Sequence, residues 1–171
     1  KRQEFILFTA HRRENFGNGI DNLCSFLVEF AKKFPGIDVL FPVHPNPQVI
    51  DEVRSRLSSI PTVHLVEPLD YLDLVFALMK SKLVITDSGG IQEEAVSLGK
   101  HVLVTRASTE RSEAISTGFL HLVGTEPKAL LKITESIIEL PTAQSEPSVM
   151  NTYGDGHAAT RIVETLESEL A

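Results

Sequence analysis

Cysteine is nearly absent from this sequence, since Cys24 is the only one among 171 residues. A single thiol excludes an internal disulfide and any metal site built from several cysteines. Cys24 falls on an apolar stripe at helical spacing, so we expect a small buried core residue rather than a reactive thiol. The sequence also lacks an HExxH motif and any clustered spacing of His, Asp and Glu, so we expect no metal site.

Positive charge is also scarce, with 16 Lys and Arg against 23 Asp and Glu and a formal net charge of −7. Nonspecific nucleic-acid binding depends on many cations that neutralise phosphates, so this balance argues against a nucleic-acid partner. No apolar run approaches the roughly 20 residues needed to cross a bilayer, and the N-terminus lacks the layout of a signal peptide. We therefore expect no membrane association and a cytoplasmic location.

Short apolar runs alternate with amphipathic stretches along most of the chain. The runs predict six strands, at residues 3–9, 37–43, 62–66, 83–85, 102–105 and 119–123. The amphipathic stretches predict helices at residues 20–34, 48–58, 71–80, 91–98, 127–140 and 157–170. Repeated strand-then-helix units imply right-handed crossovers, so we predict one Rossmann-like α/β domain with a doubly wound, six-stranded parallel sheet. Such a sheet binds ligands in a crevice at the carboxyl ends of its strands.

Two predicted helices carry apolar side chains along one face. On the helix at residues 71–80 these are Leu72, Val75, Phe76 and Met79, and on the last helix they are Ile162, Val163, Leu166 and Leu170. Residues 141–151 have loop composition, so they should lie on the surface or cross to another body. The chain begins without methionine and enters a strand almost at once, from which we expect that something preceded it.

The stretch at residues 83–99, LVITDSGGIQEEAVSLG, is typical of a strand, a tight turn and a helix. Gly89 and Gly90 let a ligand come close to the main chain, and the first free N–H groups of the helix point at whatever lies above the turn. That arrangement suits an anion, for which phosphate is the obvious candidate. The alternative is that Asp87 or Ser88 is simply an N-cap and the glycines shape the turn.

The loop after the first strand carries His11, Arg12 and Arg13. Arginine can bind phosphate through two hydrogen bonds, and histidine can exchange a proton near neutral pH. The alternative is a solvated loop in which Glu14 pairs with an arginine. The nearby Gly-Asn-Gly at residues 17–19 does not continue as a dinucleotide-binding fingerprint.

Three further polar loops also follow predicted strands. His44 is conformationally restricted between prolines, and residues 67–71 offer backbone groups for the edge of a base. Residues 106–111 add two cations and two hydroxyls, or else form an ordinary charged surface loop. Because the carboxyl ends of parallel strands meet at one edge of a sheet, we expect these loops to form a site for a polyanionic small molecule. No P-loop motif is present, so the ligand is not held as in a P-loop ATPase.

Six motifs, in this order and at these spacings, resemble the non-hydrolysing UDP-N-acetylglucosamine 2-epimerases: HRREN-G, PVHPNP, EPLDY, LVITDSGGIQEEA-SLGK, TER-EA and YGDG. The resemblance covers only the C-terminal half of that family's two-domain, GT-B-type protein. It implies that this chain is the domain that binds UDP. The active site would lie in the cleft between this domain and a missing N-terminal domain. Residues 141–171 would be a loop and a terminal helix that cross to that domain.

The resemblance implies that these residues contact UDP or UDP-GlcNAc: His11, Ser88, Gly89, Gly90, Glu94 and Arg111. Ser88 and the glycines would take the diphosphate, Glu94 the ribose, and His11 and Arg111 the phosphates near the sugar. His11 is also the candidate catalytic residue.

The family's bacterial members bind a second UDP-GlcNAc as an activator, and Arg12 and His44 sit at positions that would contribute to this allosteric site. The sequence departs from the family pattern at Val96, His101 and Ser112, where prolines are common, which relaxes the backbone. A carboxylate is replaced by Ala107, and we expect this loss to alter how the loop orders around Arg111.

The implied reaction inverts C2 of UDP-GlcNAc to give UDP-ManNAc, by elimination of UDP and its re-addition, without metal, nicotinamide or other cofactor. The family's carboxylates that move the C2 proton belong to the other domain, so this chain alone is predicted to be inactive. Its partners would be UDP-GlcNAc, UDP and the missing domain, and the full-length protein would form a homodimer. Three alternatives stay open: a hydrolysing epimerase of sialic acid synthesis, a GT-B glycosyltransferase domain and a noncatalytic nucleotide-sugar-binding module.

Overall fold

The computed structural model describes residues 4–140 and 152–170. Its strands are β1 (Glu4–Thr9), β2 (Ile37–Pro42), β3 (Val63–Val66), β4 (Leu83–Thr86), β5 (Val102–Val104) and β6 (Leu120–Leu122). Its helices are α1 (Asn18–Lys33), α2 (Pro47–Leu57), α3 (Tyr71–Lys80), α4 (Gly89–Ser97), α5 (Ser112–Ile115), α6 (Pro127–Ile138) and α7 (Ala158–Leu170), and a 3₁₀ turn (Arg13–Asn15) precedes α1. The predicted surface loop at residues 141–151 lies outside the described part of the chain. Within the described part, no helix is long and apolar enough to span a bilayer.

The six strands form one parallel sheet in the order β3-β2-β1-β4-β5-β6. Ile6 of β1 lies opposite Val39 of β2 on one side and Leu83 of β4 on the other. The prediction of a doubly wound, six-stranded parallel sheet is therefore confirmed. Because the strand order reverses between β1 and β4, a crevice opens at their carboxyl ends, flanked by the loops that follow them.

Consecutive side chains of β1 face two different layers of helices. Phe8 packs with α1, α2 and α6, and its ring meets that of Phe41 edge-on with centroids 4.7 Å apart. Leu7 packs in a second buried cluster with α3, α4 and α5. Cys24 lies in the first cluster, and burial raises the pKa of its thiol to about 12. The thiol is therefore a core group rather than a reactive thiolate, as predicted.

Local signals explain where several helices begin. α1 starts at Asn18 rather than at the predicted Ile20 because Gly17, with a φ of 73°, turns the chain directly into the helix. The carboxylate of Asp70 caps α3 by accepting a hydrogen bond from the N–H of Asp73 at 2.9 Å. Glu126 caps α6 in the same way, directly before Pro127.

Two helices leave apolar side chains uncovered in the described structure. On α3 the sequence grouped Leu72, Val75, Phe76 and Met79 on one face. Of these side chains, Leu72, Phe76 and Met79 are exposed and Val75 is half-buried. The side of α3 that meets the sheet is instead formed by Ala77 and Leu78. On α7 every residue is exposed, and the uncovered apolar side chains are Ile162, Val163, Leu166 and Leu170.

Candidate functional site

Helix α4 begins just beyond the end of β4 without a side-chain cap. Ser88 holds the N-cap position in extended backbone, but its side chain makes no capping hydrogen bond. The first main-chain bond of the helix runs from the N–H of Gln92 to the carbonyl of Ser88, which leaves the N–H groups of residues 89–91 outside the helical ladder. The interpretation of Ser88 or Asp87 as an ordinary side-chain cap is therefore wrong. The uncapped N–H groups form a place where an anion can bind.

Two guanidinium groups lie against Gly89. A Cβ atom built on Gly89 would lie 3.5 Å from Nη2 of Arg111 and 3.8 Å from Nη2 of Arg12. These are ordinary contacts, and a Cβ on Gly90 would meet nothing within 4 Å. The described packing therefore does not require glycine at either position. Close approach of a ligand to the main chain at these glycines stays a prediction.

Arg111 is held in place by contacts to α4. Its Nε donates to Oε1 of Glu93 at 2.5 Å. Its main-chain N–H donates to the hydroxyl of Thr109 at 3.2 Å, and that hydroxyl donates to Oε1 of the buried Gln92 at 2.7 Å. These hydrogen bonds order the loop around Arg111 although position 107 carries alanine. They also leave Nη2 of Arg111 beside Gly89.

Arg106, the other cation predicted in this loop, is engaged by a carboxylate of the same loop. Its side chain is only 7% exposed and donates to both oxygens of Glu110, at 3.0 and 3.4 Å. The hydrogen bond from Arg106 lowers the pKa of Glu110 to about 2. Arg106 therefore stabilises the loop, and Arg111 is its cation beside Gly89.

The carboxylate of Asp87, at the end of β4, is fully buried and holds the loop that follows β1. It accepts hydrogen bonds from the main-chain N–H groups of His11 at 3.0 Å and Arg12 at 2.9 Å, and from Nδ2 of Asn15 at 2.9 Å. Nδ1 of His11 lies 3.0 Å from its second oxygen. Burial raises the pKa of Asp87, but these hydrogen bonds together hold it below its ordinary value. Asp87 is thus a carboxylate anion inside the protein.

His11 and His44 lie side by side at the same edge of the sheet, with ring centroids 5.9 Å apart. The hydrogen bond to Asp87 raises the pKa of His11 above its ordinary value, against the opposing effects of burial and Arg12. A cavity of about 180 Å³ opens beside the two rings. Besides the histidines, its lining consists of Thr9, Ala10, Pro42, Val43, Pro45, Pro68, Leu69, Leu74 and Ile91.

Several buried polar atoms near α4 have no hydrogen-bond partner within the described residues. They include Oε2 of Glu94, Nε2 of Gln92 and the hydroxyl of Tyr153. Burial raises the pKa of Tyr153, and the negative charge of Glu93 adds to this. Sequence reasoning missed Gln92, Tyr153 and the anchoring contacts of Asp87. The available signal was a polar residue directly after an apolar strand or on the buried side of a helix.

The structure therefore brings the loops after β1, β2, β3, β4 and β5 to one edge of the sheet. The predicted site residues that meet there are His11, Arg12, His44, Ser88, Gly89 and Arg111, and Gly90 and Glu94 follow on α4. Arg13 is exposed, and the side chain of Glu14 lies outside the described part of the structure. Within residues 4–140 and 152–170, no three His, Cys, Asp or Glu side chains are grouped so that they could hold a metal ion.

Residues 1–167 match the family model described as UDP-N-acetylglucosamine 2-epimerase. A probable UDP-N-acetylglucosamine 2-epimerase of Ralstonia solanacearum is 44% identical over 170 residues, which are 99% of this chain and 45% of the relative. The chain thus spans about half the length of the curated relatives it matches.

Two solved structures are similar to this chain over nearly its whole length. UDP-GlcNAc 2-epimerase from Neisseria meningitidis bound to UDP-GlcNAc superposes with a TM-score of 0.89 at 46% identity, covering 97% of this chain and 45% of that one. Staphylococcus aureus MnaA with UDP gives a TM-score of 0.90 at 37% identity, covering 98% of this chain and 46% of that one. In both cases, the match is to about half of a longer, GT-B-type protein.

Proposed function

This chain belongs to the UDP-N-acetylglucosamine 2-epimerase family, and from that membership we propose that it is the nucleotide-sugar-binding half of an enzyme that interconverts UDP-GlcNAc and UDP-ManNAc. The chemistry is elimination of UDP from C1 and its re-addition after C2 has been inverted. The domain's task is to hold UDP throughout, because re-addition requires that UDP stays bound.

One observation carries this proposal: two guanidinium groups converge on the uncapped start of α4. Nη2 of Arg12 and Nη2 of Arg111 both lie close to Gly89, and the N–H groups of residues 89–91 are outside the helical ladder. Two cations and a row of N–H donors match the two negatively charged groups of a diphosphate. Ser88, Gly89 and Gly90 therefore take the diphosphate, with Arg111 and His11 on the phosphate nearer the sugar.

We place the two parts of the nucleoside, the base and the ribose, at two positions beside α4. The cavity of about 180 Å³ has an apolar lining and borders the loop after β3, whose backbone groups can bind the edge of a base. We assign the uracil to this cavity. Glu94 lies one turn into α4 with an unpartnered carboxylate oxygen, and we assign to it the ribose hydroxyls, which would supply the missing donor.

Catalysis by this half is electrostatic. As the C1–O bond breaks, negative charge grows on the leaving diphosphate, where fixed N–H donors and cations stabilise it. His11 serves there as a protonated group, since Asp87 favours its charged form. The carboxylates that move the C2 proton belong to the other half of the complete protein, so this chain alone has no epimerase activity.

The same membership assigns Arg12 and His44 to a second, activating UDP-GlcNAc, so Arg12 would be shared between the activator and the substrate diphosphate. Arg12 lies against Gly89 and His44 stacks on His11. An activator bound there would be next to the substrate diphosphate rather than at a distant site.

The complete protein, on this proposal, is a cytoplasmic homodimer whose other half closes over the edge described above. The exposed apolar side chains of α7 support a contact with that half, since an uncovered apolar stripe on a helix is stabilised by burial. Residues 141–171 would then form the crossing segment.

Calorimetric titration of the 171-residue chain with UDP, UMP and ADP tests the proposal. UDP should bind most tightly. UMP lacks the second phosphate, and the purine of ADP is larger than the base assigned to the cavity. Incubation with UDP-GlcNAc should yield no UDP-ManNAc. Equal affinity for UDP and UMP would contradict the diphosphate assignment, and UDP-ManNAc formed by the chain alone would contradict the division of labour between the halves.

A further inference from the structure

Asp87 accepts hydrogen bonds from three residues of the loop after β1, yet it has no surface through which to touch a ligand. Its carboxylate is 0% exposed and accepts hydrogen bonds only from the loop after β1 in the contacts described. Asp87 therefore makes no direct contact with a bound nucleotide, and its hydrogen bonds instead act on residues that can.

The contacts of Asp87 set the position of two consecutive site residues. Both main-chain N–H groups, of His11 and Arg12, point to its Oδ2 atom, at 3.0 and 2.9 Å. Asn15 closes the loop by donating to the same oxygen at 2.9 Å and to the carbonyl of Thr105 at 3.4 Å. The loop is thereby tied to the ends of both β4 and β5. This explains why Arg12 lies at Gly89 rather than in solvent.

The ring of His11 is fixed by the same carboxylate. Its Nδ1 lies 3.0 Å from Oδ1 of Asp87, so Nδ1 is the buried nitrogen and Nε2 is the nitrogen left for an outside partner. The charged or titratable groups that face His11 are Asp87 on the β4 side, Arg12 in its own loop and His44 from the loop after β2. Of these, the Asp87 hydrogen bond dominates and favours the imidazolium.

We propose that Asp87 is a positioning residue, which fixes the His11 imidazolium and the Arg12 main chain against the start of α4 so that Nε2–H of His11 donates to the nucleotide diphosphate. This role rests on the proposed function, because it needs an anionic ligand at Gly89. On this proposal, the buried carboxylate of Asp87 both orients the His11 ring and favours its charged form.

The chain contains a matched control for the carboxylate. Asp38 and His64 form a second aspartate–histidine pair with the same separation of 3.0 Å, on strands β2 and β3. In that pair the carboxylate is 15% exposed, and the pair lies away from the start of α4. Asp38→Asn therefore removes the same chemical group at the same distance from a histidine without touching the proposed site.

The experiment compares wild-type chain, Asp87→Asn and Asp38→Asn. Imidazole proton NMR follows the titration of His11 without ligand, and calorimetry measures UDP affinity from pH 5.5 to pH 8. We expect Asp87→Asn to move the His11 titration to lower pH and to weaken UDP binding by about tenfold at a pH between the two measured His11 midpoints, where His11 is charged mainly in wild type. The ratio of variant to wild-type affinity should recover toward one as the pH falls below the measured His11 midpoint of the variant. Asp38→Asn should leave UDP affinity unchanged.

Two results would overturn the proposal: an unchanged His11 titration in Asp87→Asn, or a loss of affinity that is equal at every pH. If Asp87→Asn does not fold, Asn15→Ala decides, because it removes one loop anchor and leaves the carboxylate in place. It should weaken UDP binding about threefold, and full wild-type affinity would count against positioning. If the wild-type chain binds no UDP, the proposed function fails, while the His11 titration still decides whether Asp87 controls the imidazolium.

Discussion

Each end of the sheet carries a pair of neighbouring histidines. The pKa of His11 at one end and the pKa values of His101 and His121 at the other are shifted in opposite directions. At the carboxyl edge, His11 and His44 stack with centroids 5.9 Å apart. Toward the amino edge, His101 and His121 lie with centroids 5.7 Å apart, and His101 stacks on Phe119. The pKa of His11 is raised, chiefly by the hydrogen bond to Asp87. The pKa values of His101 and His121 are lowered, chiefly by burial.

A carboxylate accounts for the difference between the edges. Burial acts on all three histidines in the same direction, since it penalises the charged form. Only His11 is paired with an acidic group among the interactions that shift these three pKa values. Besides burial, the charge of His121 lowers the pKa of His101, and a hydrogen bond to the backbone of Gly118 opposes this effect. The environment at one edge therefore favours the charged form of a histidine, and the environment at the other favours the neutral form.

The largest effect should follow removal of the carboxylate at the carboxyl edge. Asp87→Ala leaves the donors of His11, Arg12 and Asn15 without their acceptor, so the free energy of unfolding should fall by about 3 kcal/mol. Asp38→Ala, which breaks the partly exposed pair with His64, should cost under about 1 kcal/mol. Urea denaturation at pH 7 measures both. Equal losses would mean that burial of Asp87 adds nothing.

The next largest effect concerns Arg111. Arg111→Ala should weaken UDP binding by about 10- to 100-fold, because it removes the charge-assisted hydrogen bond to phosphate that we propose for this residue. Arg54→Ala is the matched control, since Arg54 is an exposed arginine of α2 that pairs with Glu67 at 3.7 Å. Calorimetry with UDP checks both variants. A similar loss in both would indicate general charge attraction instead of a site at α4.

Gly89→Ala distinguishes an effect on UDP affinity from an effect on the stability of the fold. A Cβ at Gly89 makes ordinary contacts in the described structure, so stability should stay within about 0.5 kcal/mol of wild type. UDP affinity should nevertheless fall about tenfold, because the methyl group occupies the space of a phosphate near the main chain. Gly36→Ala, directly before β2 at the amino edge, should change neither quantity, since its Cβ would meet nothing within 4 Å. An unchanged affinity in Gly89→Ala would remove the reason for glycine at α4.

The smallest effect is the pH dependence of stability. The raised pKa of His11 stabilises the fold below pH 6.5, and this contribution is lost as the pH rises through the folded-state pKa. The lowered pKa values of His101 and His121 act oppositely, because their contribution is present above pH 6.5 and is lost as the pH falls through the folded-state values. Between pH 8 and pH 5, His101→Gln should therefore lose less stability than wild type, and His11→Gln should lose more. Urea denaturation at both pH values measures the difference, and identical acid sensitivity in the two variants would contradict this assignment.

Much of the fold follows from local pattern. The α3 boundaries, Tyr71–Lys80, agree with the predicted helix, and six apolar runs correspond to the six strands. The resemblance to the UDP-N-acetylglucosamine 2-epimerases, carried by motifs such as DSGGIQEEA, is also confirmed. The strands and helices can be predicted because apolar periodicity and main-chain chirality act over a few residues and determine which elements form and how they cross.

Side-chain partnership was not readable in the same way. The sequence allowed Asp87 to be a helix cap, but the carboxylate binds a loop 76 positions away. It placed Leu72, Phe76 and Met79 on one face of α3, but it did not show whether that face is covered. Arg106 and Arg111 looked equivalent, yet one pairs with Glu110 and the other with Glu93.

The sequence by itself determined the alternation of strands and helices, the edge at which the polar loops meet and the family to which the chain belongs. Only the tertiary structure decided which carboxylate holds which cation, and therefore in which histidine the charged form is favoured. The physical reason is range: periodic burial is encoded in neighbouring residues, whereas the pKa of a side chain depends on groups that folding brings within about 3 Å from distant parts of the chain.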